Sequence, residues 1–131
     1  MDRPWQFRLN GFLRETLQRH GMTPLFWVLG RYQQEPMSQS LWFEGPLCIY
    51  LDADAYHQGQ ATTDIDLTIV QDGKVIMCEA KRSARAFREP EKAAQIFAQL
   101  RPDVALIAVM EAPSLALQTR FDTFCSCLGG N

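Results

Sequence analysis

Long apolar runs are missing from this chain. The longest, PLFWVLG at residues 24–30, falls far short of the ~20 apolar residues that a membrane-crossing helix needs, so no bilayer span is expected. Histidine is scarce: His20 and His57 are the two present, and neither has the Ser or Cys company of a nucleophilic triad. The four cysteines, Cys48, Cys78, Cys125 and Cys127, form no CxxC pair and have no histidines at zinc spacing. That argues against a structural zinc site and against a phosphoesterase built on histidine ligands. There is no charge excess either, since 13 Lys and Arg against 15 Asp and Glu give a formal charge of -2. A surface that attracts polyanions everywhere is thereby excluded, and any nucleic-acid contact must come from a local basic patch. The opening MDRPWQFRLN lacks the basic-then-apolar pattern of a secretory signal. A cytoplasmic protein is expected, its cysteines kept as thiols and used as small buried hydrophobes.

What is present is enough apolar material, 47% of 131 residues, for one domain to bury a real core. No repeat, low-complexity tract or linker divides it, so a single domain over residues 1–131 is expected. Trp5, Leu9, Phe12, Leu13 and Leu17 recur at helical spacing, with Pro4 suited to a first turn and Gly21 to a C-terminal cap. This predicts a helix over residues 4–20. Between residues 23 and 60, PLFWVLGRYQ and PLCIYLDADAY read as strands on either side of the loop-like EPMSQS. After a hairpin, the basic stretch KRSARAFREPEK leads into a helix that begins near Pro90, carries Ala93, Ala94, Ile96, Phe97 and Leu100, and ends at Pro102. VALIAVM at residues 104–110 is an uninterrupted apolar run, as expected of a strand covered on both faces. A last helix over residues 114–128 would be closed by Gly129 and Gly130. This order describes a mixed α/β domain with a central sheet flanked by helices.

The hairpin carries the chemistry. Residues 62–82 read TTDIDLTIVQDGKVIMCEAKR, and Asp72-Gly73 between alternating apolar strands is a strong hairpin signal, because a type I′ turn needs positive φ at both positions. A tight turn there places Asp66 opposite Glu79 and Asp64 opposite Lys81 on one sheet face. Ile65, Leu67 and Ile69 opposite Ala80, Cys78 and Ile76 form the other face, which is uniformly apolar and must look into the core. Opposed carboxylates at about 5 Å repel by something on the order of 1 to 3 kcal/mol in a partly screened site. A divalent cation offsets this directly, since Mg²⁺ or Mn²⁺ prefers oxygen ligands, takes one or two carboxylates and completes its shell with water. Lys81 beside it supplies a positive charge for an attacking water or a phosphate oxygen. Arg82, Arg85, Arg88 and Lys92 follow closely enough to assist phosphate binding, although Glu89 and Glu91 interrupt them. The set suits metal-assisted hydrolysis of a phosphodiester.

At these residues the chain resembles the PD-(D/E)xK nuclease superfamily, the restriction-endonuclease-like fold that includes Holliday-junction resolvases and RecB-type nuclease domains. The family pattern is an acidic residue at a strand start, a hairpin, and then (D/E)-x-K; IDLTIVQDGKVIMCEAK supplies Asp66, Glu79 and Lys81. The resemblance implies an α-β-β-β-α-β core, which matches the order read above over most of the chain. It also implies metal ligation by Asp66 and Glu79 and a further catalytic Glu on the first helix, where Glu15 is the one acid within residues 4–20. Ile65 stands where the family's name has proline, and Asp64 rivals Asp66; Asp66 is preferred because it opposes Glu79.

Other polar residues have ordinary explanations beside functional ones. Gln95 and Gln99, one turn apart, suit a solvated helix surface as well as substrate contact. Asp52 and Asp54 suit an exposed edge strand, and Glu15 can pair with Arg19. The expected function is a Mg²⁺-dependent nuclease, with Mn²⁺ able to substitute, acting on DNA including structured or branched DNA. Homodimerisation or a larger protein assembly would supply specificity. The alternative is a catalytically inactive nuclease-fold module that binds nucleic acid or protein, against which the intact Asp66, Glu79 and Lys81 count.

Overall fold

The computed structural model describes residues 23–34 and 40–129. Among them the order is α1 (Thr23–Gln33), β1 (Leu41–Glu44), β2 (Leu47–Ile49), α2 (Ala53–His57), β3 (Thr63–Ile65), β4 (Leu67–Gln71), β5 (Lys74–Lys81), a 3-10 turn (Ala84–Ala86), α3 (Pro90–Leu100), β6 (Val104–Val109) and α4 (Leu115–Gly129). A four-stranded sheet runs β1-β4-β5-β6, and β2 pairs with β3 in a small second ladder. The first two pairings are antiparallel and β5-β6 is parallel, so β5 and β6 need a crossover, which α3 supplies. The predicted helix over residues 4–20, and Glu15 with it, lies outside the described residues.

Strand alternation divides the core into two layers. Ile76 and Cys78 of β5 pack with Leu67, Ile69 and Ala108 against Leu25, Val28 and Leu29 of α1. Met77 looks the other way, toward the layer built on Phe87, Ala94, Phe97, Leu117 and Phe124 from α3, α4 and the segment before α3. β6 has both faces covered: Leu106 and Ala108 meet the first layer and Ala105, Ile107 and Val109 the second. That is the arrangement an unbroken apolar run requires. Glu79 and Lys81 follow Met77 on its face, so they point toward α3 instead of into open solvent.

The hairpin register is as the turn dictates. Leu67 pairs with Cys78, Ile69 with Ile76 and Gln71 with Lys74, while Asp72 and Gly73 take φ of 49° and 81°. Two expectations fail upstream. PLFWVLGRYQ is helical: Pro24, Leu25, Val28 and Leu29 are buried at helical spacing while Phe26 and Trp27 are exposed, a period hidden by apolar residues on the outer face. Within PLCIYLDADAY, Leu47–Ile49 is a strand, but Asp52 caps α2 by accepting the Ala55 N–H at 2.6 Å, which ends the extended run.

The third correction shapes the site. The β1-β4 ladder runs from Leu41↔Gln71 to Glu44↔Thr68 and the β2-β3 ladder from Leu47↔Ile65 to Ile49↔Thr63, in one continuous register broken at Gly45, Pro46 and Asp66. Pro46 has no N–H to donate, so the ladder cannot pass through it. Gly45 is buried and packs so closely on the Asp66 carbonyl that a Cβ there would overlap it. Beyond this break β3 leaves β5. Ile65, expected on the face of Leu67 and Ile69, is buried in the opposite layer beside Phe87 and Phe97. Asp64 is exposed opposite Cys48 instead of facing Lys81.

Candidate functional site

Where β3 departs, β5 is left with backbone donors that have no strand partner, and the Asp66 side chain takes one of them. Its Oδ2 accepts the Ala80 N–H at 2.8 Å and the Lys81 ammonium at 3.4 Å. The break thus turns Asp66 from a residue simply opposite Glu79 into one whose carboxylate is tied to β5. Lys81 Nζ also lies against Glu79 Oε2, so a single ammonium joins both acids. The side chains are 15% exposed for Glu79, 23% for Asp66 and 29% for Lys81, a half-dry setting in which charge interactions are stronger than at a surface.

Glu79 is the most buried of the three. Its Oε2 is buried and receives no well-directed hydrogen bond among the described residues, despite the nearby ammonium. Burial raises its pKa above the ordinary value of 4.5, with Asp66 adding to the rise and Lys81 opposing it. For Lys81, burial acts to lower the pKa, but the Glu79 and Asp66 carboxylates outweigh it and the pKa is raised, so this residue is a cation at neutral pH. Behind the sheet, burial first and then the two acids push the Cys78 thiol up to about 12. Cys78 is therefore an inert core thiol, as its position suggested.

A cavity of about 580 Å³ opens onto this cluster, with Glu79 and Lys81 on one wall and Arg88 and Lys92 on another. Thr63, Phe87 and Ile96 complete much of the remaining lining. Arg88 donates its Nε–H to the Arg85 carbonyl at 2.7 Å, and Lys92 lies 3.7 Å from Glu89, a pair exposed enough to exchange partners. Arg82 and Arg85 are exposed and do not line the cavity. Gln95 and Gln99 are likewise exposed and outside it. Asp52 is occupied as a cap, Asp54 is exposed on α2, and His57 packs on the exposed Tyr56 ring.

Two residues not singled out from the sequence hold the basic segment in place. Arg120 on α4 donates to the carbonyls of Ala84 and Phe87, the latter at 3.0 Å, and a Glu111 carboxylate accepts the Ala84 N–H. Neither had a local signal, since an arginine in a mid-helix position and a glutamate two residues before a proline are ordinary surface residues. Gly45 was not singled out either, and its role is a close contact with the Asp66 backbone.

Among the described residues no group of three or more His, Cys, Asp and Glu converges. Asp66 and Glu79 are a carboxylate pair of the kind that a hydrated Mg²⁺ takes, and in this structure the positive partner of both is the Lys81 ammonium. No helix among the described residues is long and apolar enough to cross a membrane. Comparison of the chain with protein-family models, curated proteins and solved structures finds no match.

Proposed function

We propose that this chain is a Mg²⁺-dependent nuclease of the PD-(D/E)xK kind that hydrolyses phosphodiester bonds in DNA. The observation that carries the reading is the joining of Asp66 and Glu79 through Lys81, with Glu79 and Lys81 lining a cavity whose other wall presents Arg88 and Lys92. The order of β4, β5, α3 and β6 around that cluster agrees with the restriction-endonuclease-like core. When bound, Mg²⁺ would acidify a water and neutralise charge developing on the phosphorane.

The chain's own residues divide the remaining work. Asp66 and Glu79 would hold the cation, and the tie from Asp66 to the Ala80 N–H keeps one carboxylate oriented. Lys81, protonated at neutral pH, cannot accept a proton from water, so it positions the water or a non-bridging phosphate oxygen by charge. Arg88 and Lys92 bind the phosphates that flank the scissile bond. Phe87 and Ile96 give the cavity an apolar wall for sugar or base, and a second copy or a larger partner adds specificity. The test is incubation with single-stranded, duplex and branched DNA in Mg²⁺, in Mn²⁺ and in chelator. Cleavage that requires the metal supports the reading, and no cleavage of any substrate in either metal contradicts it.

One observation favours a second reading, a nuclease-fold module that binds nucleic acid without cutting. The Lys81 ammonium already bridges both carboxylates, so the cluster is held together without a metal. Metal-independent DNA binding with no cleavage is the result that reading predicts.

A further inference from the structure

The cation this site would hold has a rival within the chain. Lys81 Nζ lies against Glu79 Oε2 and 3.4 Å from Asp66 Oδ2, which is the point on which both carboxylates converge. Three features make this an arrangement that can be opened. Glu79 Oε2 is met by the ammonium and by no other hydrogen-bond partner among the described residues, so a metal would replace its one cation with another. Asp66 Oδ2 keeps the Ala80 N–H at 2.8 Å whether or not the ammonium stays, so the carboxylate does not need the lysine to hold its place. Lys81 itself lines the 580 Å³ cavity, and its four-carbon stem has room to swing the ammonium toward the wall of Arg88 and Lys92.

Resting on the nuclease reading above, we infer that Lys81 is a built-in counter-ion that competes with a divalent cation for Asp66 and Glu79, so that metal binding drives its ammonium into the phosphate-binding cavity. In the metal-free protein the lysine offsets part of the charge of the two acids and keeps their mutual repulsion from opening the site. In the loaded protein the same charge is delivered to the place where a phosphate needs it. The lysine therefore weakens metal binding in exchange for positioning, and its removal must tighten the metal.

The experiment titrates Mn²⁺ alone into the full chain, without DNA, and follows binding by electron paramagnetic resonance. Lys81→Met and Lys81→Gln remove the competing charge, and Lys92→Gln removes a cavity cation that does not touch Asp66 or Glu79. Loss of through-space repulsion alone should tighten Mn²⁺ about twofold in Lys92→Gln, whereas both Lys81 variants should tighten it about tenfold or more. Thermal unfolding of each variant verifies that it is folded, and either Lys81 variant suffices if the other is not. Equal or weaker Mn²⁺ binding in a folded Lys81 variant, or tightening no greater than that of Lys92→Gln, overturns the competition while leaving the nuclease reading intact. Failure of wild type and all variants to bind Mn²⁺ overturns both.

Discussion

Replacing Gly45 by alanine tests whether the ladder break is what positions Asp66. The position is buried, and an added Cβ would come well inside 3.0 Å of the Asp66 carbonyl oxygen and 3.1 Å from the Leu67 Cα. Both obstacles are backbone atoms, so no side chain can rotate aside, and the strand must move by roughly the shortfall of an ångström. Overpacking of this kind costs about 1–3 kcal/mol. Gly30 is the matched control: a Cβ there meets nothing within 4 Å, and it lies within α1, where alanine should stabilise by about 0.5–1 kcal/mol. Urea denaturation of the two variants should therefore give opposite signs. Because the displaced backbone belongs to Asp66, Gly45→Ala should also weaken Mn²⁺ binding under conditions where the variant is fully folded. A Gly45→Ala protein with wild-type stability and wild-type Mn²⁺ affinity would refute the idea that this contact sets the site.

The remaining predictions concern charge. Burial raises the Glu79 pKa above 4.5, so the folded state holds its proton more tightly than the unfolded state. The resulting stability is present below 4.5 and is lost as pH rises through the folded value. Glu79→Gln removes that loss, so without metal the variant should gain on wild type as pH rises from 4.5 through the folded value; a stability difference that does not change with pH would contradict this. Arg88→Gln and Lys92→Gln should each weaken DNA binding and flatten its salt dependence by about one unit of slope. Arg82→Gln and Arg85→Gln, outside the cavity, should do less, and equal effects from all four would mean that the cavity wall is not the phosphate contact. Asp64→Asn should be nearly silent for metal binding and cleavage, given its exposure opposite Cys48, whereas Asp66→Asn should abolish both; the reverse order in a cleavage assay would reassign the ligand.

The parts of the fold that were legible are those whose signal is local. Asp72-Gly73 demands positive φ and the flanking residues alternate, so turn and register follow from adjacent residues. From that register Glu79 and Lys81 fall on one face without further information. α1 was misread because Phe26 and Trp27 are apolar although exposed, which erased the contrast that distinguishes a helical period from a strand. The ladder break was not legible because its cause is distant: Gly45 and Pro46 act on Asp66 across a strand pairing. Extending the hairpin register past that break sent Asp64 toward Lys81 and Ile65 to the wrong layer. Asp66 sits in the break itself, so its side chain and not a strand pairing meets the Ala80 N–H. Arg120 and Glu111 were missed for the same reason, since their value lies in carbonyls and an N–H some thirty positions away.

The most direct measurement pairs Mn²⁺ binding with Mg²⁺-dependent cleavage of DNA in wild type, Asp66→Asn, Glu79→Gln and Lys81→Ala. The account predicts that wild type binds and cuts, that Asp66→Asn and Glu79→Gln lose binding and cleavage together, and that Lys81→Ala keeps the metal but no longer cuts. A Lys81→Ala protein that cleaves at near the wild-type rate, or a wild-type protein that neither binds Mn²⁺ nor cleaves DNA, would contradict it.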